Sequence, residues 1–296
     1  MPVVKKQVAP ATAAKKAPPA AQKKPSPTTP TAKTEGVWGR VVPVTEHDSG
    51  GIHVSLYGRS KTGKTRFICT FPKPILIIGA EDGTKSIQGL KGIDFIRIRT
   101  TAEFEELVPG IIERGYATAA LDTASAFADV VLEEVTGRET PQQNAWGAYT
   151  REEYMAQAKR MKPLLKMLLD LPCNVVITAH EKNLTAEEGH QELMVPSVGS
   201  ALGKSTVGWL NGAVDYICQT FIRQKMQETT FEINGEKQTT MEIVPGAKPE
   251  FCLRCGPHPV YQTGFRLTPG FELPEVIVDP DYAQVMQIIN GKYHSK

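Results

Sequence analysis

The sequence predicts an α/β fold with a mostly parallel sheet, β-hairpin additions toward its C-terminal end and a disordered N-terminal tail. Three observations carry that expectation. Short apolar runs, among them "PILIIGAEDG" (74–83), "ATAALD" (117–122) and "NVVITAHEK" (174–182), alternate with helical patterns, as strands buried on both faces of a parallel sheet should. A glycine-rich stretch, "GRSKTGKT" (58–65), lies between a strand-like and a helix-like segment. The first 34 residues hold seven lysines and no acid, are rich in alanine and proline, and lack aromatic side chains.

That first stretch buries too little apolar surface to offset its ordering entropy. It has neither the apolar core of a secretory signal nor the arginine-rich amphipathy of a transit peptide. Residues 1–35 therefore read as a disordered basic tail, either a solubilising arm or a weak tether for polyanions. Folding is expected to start near Gly36, with one domain over 36–296: a core at about 51–222 and a β-rich extension over 223–296. A chain of 296 residues, 41% hydrophobic and 22% charged, has ample core for it. The chain total of +2 leaves −5 for the residues beyond the seven tail lysines. No apolar run approaches the ~18 residues of a membrane span. Five cysteines, odd in number and mostly in apolar runs (Cys69, Cys173, Cys218), suit reduced thiols. A soluble, cytoplasmic protein without a membrane partner is expected.

The glycine-rich stretch fits the phosphate-binding P-loop pattern, Gly58-x4-Gly63-Lys64-Thr65. The chemistry needs those residues at that spacing. Glycines let the backbone curl so that successive N–H groups meet phosphate oxygens, the lysine reaches the β- and γ-phosphates, and the threonine hydroxyl ligates Mg²⁺. "IHVSLY" (52–57) alternates like a strand feeding the loop, and "KTRFICTF" reads as a short helix stopped by Pro72. The run Gly58, Arg59, Ser60, Lys61, Thr62, Gly63, Lys64, Thr65, Arg66 is the expected site for a nucleoside triphosphate.

The following elements supply candidate partners. "PILIIGAEDG" is a buried strand ending in Glu81, Asp82 and Gly83; "DFIRIR" (94–99) is a second strand, and "TAEFEELVPGIIERG" a helix interrupted near Pro109. "ATAALD" ends in Asp122, which either holds Mg²⁺ as a Walker B carboxylate or caps the helix "TASAFADVVLEEV". Thr123 follows where many ATPases place the water-activating glutamate. The base must then come from a neighbouring strand, which favours Glu81, with Asp82 in reserve. "NVVITAHEK" delivers His180 to the same edge, as a γ-phosphate sensor or as a structural histidine.

Residues 183–205 read as a long polar loop, functional or mobile by its length. "AVDYICQTFI" (213–222) is again a strand, and Asn234-Gly235 marks a hairpin turn. Cys252 and Cys255 lack a second cysteine pair and read as strand residues rather than zinc ligands. A last helix is expected with Asp279 as cap, Pro280 at its first position and Gly291 as its stop.

Together, "GRSKTGKT", "ILIIGAEDG", "AALDTAS", "VVITAHEK" and "VGSALGK" followed by "VDYICQTF" resemble the RecA-like core. Within it they are similar to the small phage ATPases of the Sak type, which act in single-strand annealing and recombination. The likeness spans roughly Gly51 to Phe221, more weakly to Leu267. It implies that Lys64 and Thr65 bind phosphate and Mg²⁺, that Asp122 is Walker B, that Glu81 activates water, and that His180 stands at the sensor position. It further implies that the 183–205 loop faces DNA; the charges of Lys182, Lys204, Arg223 and Lys225 read either as a local strip for it or as a solvated face. Arg266 would reach a neighbouring subunit's nucleotide, although Gly264 stands where relatives carry lysine. The implied ligands are ATP and Mg²⁺. The implied partners are single-stranded DNA, further copies in a ring or filament, and a single-strand-binding protein. Two other readings stay open: a P-loop kinase of small molecules or nucleosides, and a nucleotide-binding module that does not hydrolyse. Residues 183–205 contain no arginine, unlike an arginine-rich kinase lid.

Overall fold

The computed structural model describes residues 50–137, 149–184, 197–233, 236–267 and 273–292. The basic tail, the centre of the 183–205 segment and the Asn234-Gly235 turn lie outside the described residues.

Six parallel strands form the centre of one sheet: β1 (His53–Gly58), β2 (Ile75–Gly79), β3 (Ile93–Arg97), β4 (Thr118–Leu121), β5 (Asn174–Leu184) and, after the short β6 (Ser197–Ser200), β7 (Tyr216–Arg223). A separate pair, β8 (Met226–Ile233) and β9 (Glu236–Ile243), makes a two-stranded hairpin. Then β10 (Glu250–Arg254), the two-residue β11 (Gly264–Phe265) and β12 (Val276–Val278) return to the main sheet, whose order is β12-β10-β7-β1-β5-β4-β2-β3. β1, β2, β3, β4, β5 and β7 pair in parallel, and β10 and β12 extend the sheet antiparallel beyond β7. The result is a mostly parallel α/β sheet, with β5 between the strand that feeds the glycine-rich loop and the strand that Asp122 follows.

Alternation along the strands sends side chains into two apolar layers. Leu76, Ile78, Leu121, Val175 and Ile177 face one layer with Phe104, Phe127, Leu164 and Leu168. Those four come from α2 (Thr101–Leu107), α4 (Ala124–Thr136) and α5 (Arg151–Leu169), while α3 (Gly110–Glu113) continues the α2 segment. Ile75, Ile77, Ala120 and Val176 face the other layer with Phe67 and Ile68 of α1 (Lys64–Ile68). Val285 and Ile288 of the last helix complete that layer. Burial on both faces explains why these strands read as continuous apolar runs.

Three expectations are corrected. β5 does not stop near His180: it continues to Leu184 and pairs antiparallel with β6, Glu181 opposite Ser200 and Leu184 opposite Ser197. The 183–205 segment therefore contains the end of β5 and all of β6, and its last two residues open α6 (Lys204–Ala213) rather than belonging to a loop. The terminal helix α7 (Tyr282–Ile289) is capped by Asp281, whose carboxylate accepts from the Gln284 N–H, not by Asp279. A capping box needs a Glu or Gln three residues on, which Asp281 has in Gln284 and Asp279 lacks. No described helix is long and apolar enough to cross a membrane.

Candidate nucleotide-binding site

The glycine-rich loop leaves the sheet where Gly58 pairs with His180 of β5 on one side and Thr220 of β7 on the other. A Cβ at Gly58 would lie 2.3 Å from the Thr220 hydroxyl, so only glycine fits there. The loop then curls through two left-handed positions, Lys61 at φ 65° and Gly63 at φ 94°. Thr62 pins the curl: its hydroxyl donates to the Arg59 carbonyl (2.8 Å) and lies 2.7 Å from the Thr220 hydroxyl. Lys64 opens α1 with its side chain tucked into the loop, its ammonium donating to the carbonyls of Gly58 (2.9 Å) and Arg59 (2.8 Å). Burial lowers the Lys64 pKa, and the charges of Asp122, Glu181 and Glu81 oppose that shift.

Asp122 follows the last residue of β4 and sits beside Thr178 of β5, because Leu121 pairs with Ile177. The Asp122–Thr123 peptide is cis. The Asp122 carboxylate accepts from the Thr65 hydroxyl (2.6 Å) on one oxygen and from the Thr178 hydroxyl (2.5 Å) on the other. It does not cap α4; Thr123 does, accepting from the Ala126 N–H. With the cap supplied by Thr123, Asp122 is left facing the loop. A hydroxyl and a carboxylate side by side suit a hard cation that retains most of its water. The Thr65–Asp122 pair therefore fits Mg²⁺.

Glu81 and His180 come together from β2 and β5, His180 Nε2 lying 3.8 Å from Glu81 Oε1. Thr123 Oγ1 approaches the same Glu81 oxygen at 3.5 Å. The His180 backbone is fixed from α4, its N–H donating to Ser125 Oγ (3.0 Å), and Ser125 donates to the Ala201 carbonyl (3.1 Å). Asp82 also lines the cleft but is tied to its own loop through one oxygen. Its carboxylate accepts from both the N–H and the hydroxyl of Thr84 (3.2 and 2.7 Å), and these bonds hold its pKa below the ordinary value.

Lys64, Thr65, Glu81, Asp122, Thr123 and His180 all line one cleft of ≈ 650 Å³. Cys69, Ile87, Leu90 and Phe251 form its apolar side, and Ser60, Lys61 and Lys85 add polar groups. The structure thus brings together most of the residues expected from sequence. Arg266 is not among them. It sits at the other end of β7, donating to Asp215 Oδ1 (3.2 Å) and the Gly212 carbonyl (2.6 Å). Lys182 braces the hairpin through its ammonium on the Leu202 carbonyl, and Lys204 is the first residue of α6, on the surface.

Sequence reasoning missed Thr178, Ser125 and Thr220. Thr178 carried a usable signal, since it precedes His180 by two residues on a strand already assigned to this edge. Ser125 and Thr220 carried none, as hydroxyls of that kind are common and only register brings them to the loop.

No curated protein matches the sequence. Among solved structures, a KaiC-like protein from the hyperthermophilic archaeon Pyrococcus horikoshii OT3 matches at 11% identity, over 78% of this chain and 90% of that chain, with a TM-score of 0.35. A family match covers residues 51–248, from the start of β1 past the β8–β9 hairpin and well over half the chain, and its description is AAA domain. With the glycine-rich cradle, the Thr65–Asp122 pair and Glu81 on one cleft, the chain belongs to the AAA domain family (AAA_24) and is a P-loop, nucleotide-binding ATPase.

Proposed function

We propose that this ATPase is Mg²⁺-dependent, is stimulated by single-stranded DNA, and acts in DNA recombination and strand annealing in the manner of the phage Sak-type ATPases it resembles. The observation that carries the reading is the convergence of Glu81 and His180 at the mouth of the cradle, from strands on either side of β4. β5 does not end there. It runs on through Glu181 into the β5–β6 hairpin, whose ends flank the segment that the resemblance turns toward DNA. Nucleotide chemistry and the proposed DNA-facing segment therefore share one strand.

ATP with Mg²⁺, when bound, supplies the phosphoanhydride and neutralises part of its charge. The chain's own residues do the rest. Loop N–H groups and Lys64 hold the phosphates, as P-loop backbones do. Thr65 and Asp122 hold the cation. Glu81 accepts the proton of the hydrolytic water, because it meets His180 and Thr123 at the cradle while Asp122 is engaged by two hydroxyls and Asp82 binds Thr84. His180 orients Glu81 and links its position to the hairpin. Further copies in a ring or filament, a single-strand-binding partner and a cytoplasmic setting complete the proposal.

The test is ATP turnover by the full chain with and without single-stranded DNA. Stimulation supports the proposal. Turnover only with a small phosphate acceptor would make the protein a kinase, and binding without turnover would make it a non-hydrolysing module.

A further inference from the structure

Glu181 stands one residue past His180 and is nearly buried, its side chain 12% exposed. Both of its oxygens are engaged, in different directions. Oε1 accepts from Arg59 Nε at 3.2 Å, and Arg59, the second residue of the cradle, is otherwise 84% exposed. Oε2 accepts from Gln219 Nε2 of β7 at 2.8 Å, across the end of β1. Gln219 in turn accepts from Arg254 of β10 at 2.7 Å, and that guanidinium stacks on Tyr261 and Phe221, 4.0 and 4.6 Å from the ring centroids. One side of Glu181 is thus built into the sheet and stays fixed. The other rests on a single arginine that belongs to the loop meant for an anion.

We propose that Glu181 is a latch between the cradle and the β5–β6 hairpin: it holds Arg59 while the cradle lacks phosphate and yields Arg59 to the phosphates of an incoming nucleotide. The inference rests on the nucleotide-site reading above and names a positioning residue for it. The competition is asymmetric for a physical reason. A triphosphate carries more charge than one carboxylate and meets the guanidinium at shorter, charge-assisted geometry. The Arg59–Glu181 contact is partly exposed and so costs little to break. Glu181 then keeps Gln219 alone, and the hairpin root at 181–184 loses its only side-chain tie to the loop among the contacts described for Glu181. A nucleotide signal would pass to the segment between β5 and β6 by this route.

The experiment uses the full chain and a non-hydrolysable ATP analogue with Mg²⁺. It compares the unmodified protein with Glu181→Gln, Arg59→Ala, the double variant and Lys64→Ala, by calorimetry and by amide exchange over 181–184 and 197–200. Glu181→Gln keeps the side-chain shape and the bond from Gln219, so the fold is retained, and thermal melting checks it. The expected result is analogue binding about 3-fold tighter in Glu181→Gln, the scale of a partly exposed ion pair. No such gain is expected when Arg59 is already alanine. Amides of 181–184 should exchange faster with analogue in the unmodified protein, and equally fast without it in Glu181→Gln. Unchanged affinity in Glu181→Gln overturns the latch, and so does an equal gain in the Arg59→Ala background, which would be general charge repulsion. Nucleotide binding that is intact in the unmodified protein and lost in Lys64→Ala keeps the site reading standing even if the latch falls. Absence of binding in the unmodified protein sinks both.

Discussion

β1 and β7 run side by side, and polar clusters lie at both ends of the pair. At the carboxyl end, Gly58 and Thr220 open onto the cradle, Lys64, Asp122 and Glu81. At the amino end, Asp215 accepts from the His53 N–H (3.1 Å) and from Arg266 (3.2 Å), with the His53 ring 4.0 Å away. The residue types are the same in kind: a basic side chain, a carboxylate and a histidine. At the carboxyl end the strands stop at different heights and their loops diverge, so the polar groups line a cleft even where they touch, as Thr65 and Asp122 do. At the amino end, Arg266 and His53 close on one carboxylate of their own chain. Residue type does not make a site; an unclosed arrangement does.

Four substitutions sharpen that contrast, and the largest effects belong to the cleft. Glu81→Gln should lower ATP turnover by roughly 10²- to 10⁴-fold, the range of a general base, while leaving ATP affinity intact. If Asp82→Asn stops turnover instead, the wrong carboxylate has been assigned. Lys64→Ala should weaken ATP binding on the order of 100-fold, as loss of charged hydrogen bonds does, with the fold retained and only a small fall in melting temperature from the lost bonds to two loop carbonyls. Calorimetry and a melting curve on the same sample check both halves.

The amino end should answer in stability rather than chemistry. Arg266→Ala is expected to cost at most about 1 kcal/mol, since its side chain is 59% exposed and its ion pair is solvent-screened. Turnover should hold in dilute protein. A loss of turnover that deepens with protein concentration would instead give Arg266 the role of reaching a neighbouring subunit's nucleotide. The smallest effect is that of His53, whose pKa burial holds below 6.5, against the opposing charge of Asp215. The unfolded chain therefore takes up this proton at a higher pH than the folded chain. Its contribution is fully present above about pH 6.5 and is lost as pH falls toward the folded value. His53→Gln should flatten the fall in melting temperature between neutral and mildly acidic pH. An identical pH profile in the variant would remove His53 from the account.

Much of the cleft was legible because its chemistry is local. The spacing Gly58-x4-Gly63-Lys64-Thr65 lies within eight residues, Glu81 and Asp122 each follow an apolar strand, and His180 closes the apolar part of β5. Less legible were α5 and α6, outside the expected elements altogether. α5 carries Pro163 inside it, and Tyr154 and Met155 in its first turns are exposed, so its apolar face appears only once Met161, Leu164, Leu165 and Leu168 meet the sheet. α6 begins immediately after Gly203 with no side-chain cap, and so offered no start signal. The Glu181–Gln219–Arg254 chain joins residues 38 and 35 positions apart. No pattern along a single strand announces such a link.

By itself the sequence determined that a parallel sheet forms, that a phosphate loop interrupts it, and that carboxylates follow two of its strands and a histidine lies on a third. Period and spacing along one chain segment suffice for each of these. Only the tertiary structure decided which of them meet. The order β7-β1-β5-β4-β2 put β5 between the cradle and Asp122 and brought His180 to Glu81. It also gave the capping of α4 to Thr123, which left Asp122 for Thr65, and it closed Arg266 on Asp215 at the opposite end. The physical reason is that strand order and register are set by packing of whole faces, summed over many apolar contacts, whereas a polar side chain takes whatever partner that packing leaves within about 3 Å.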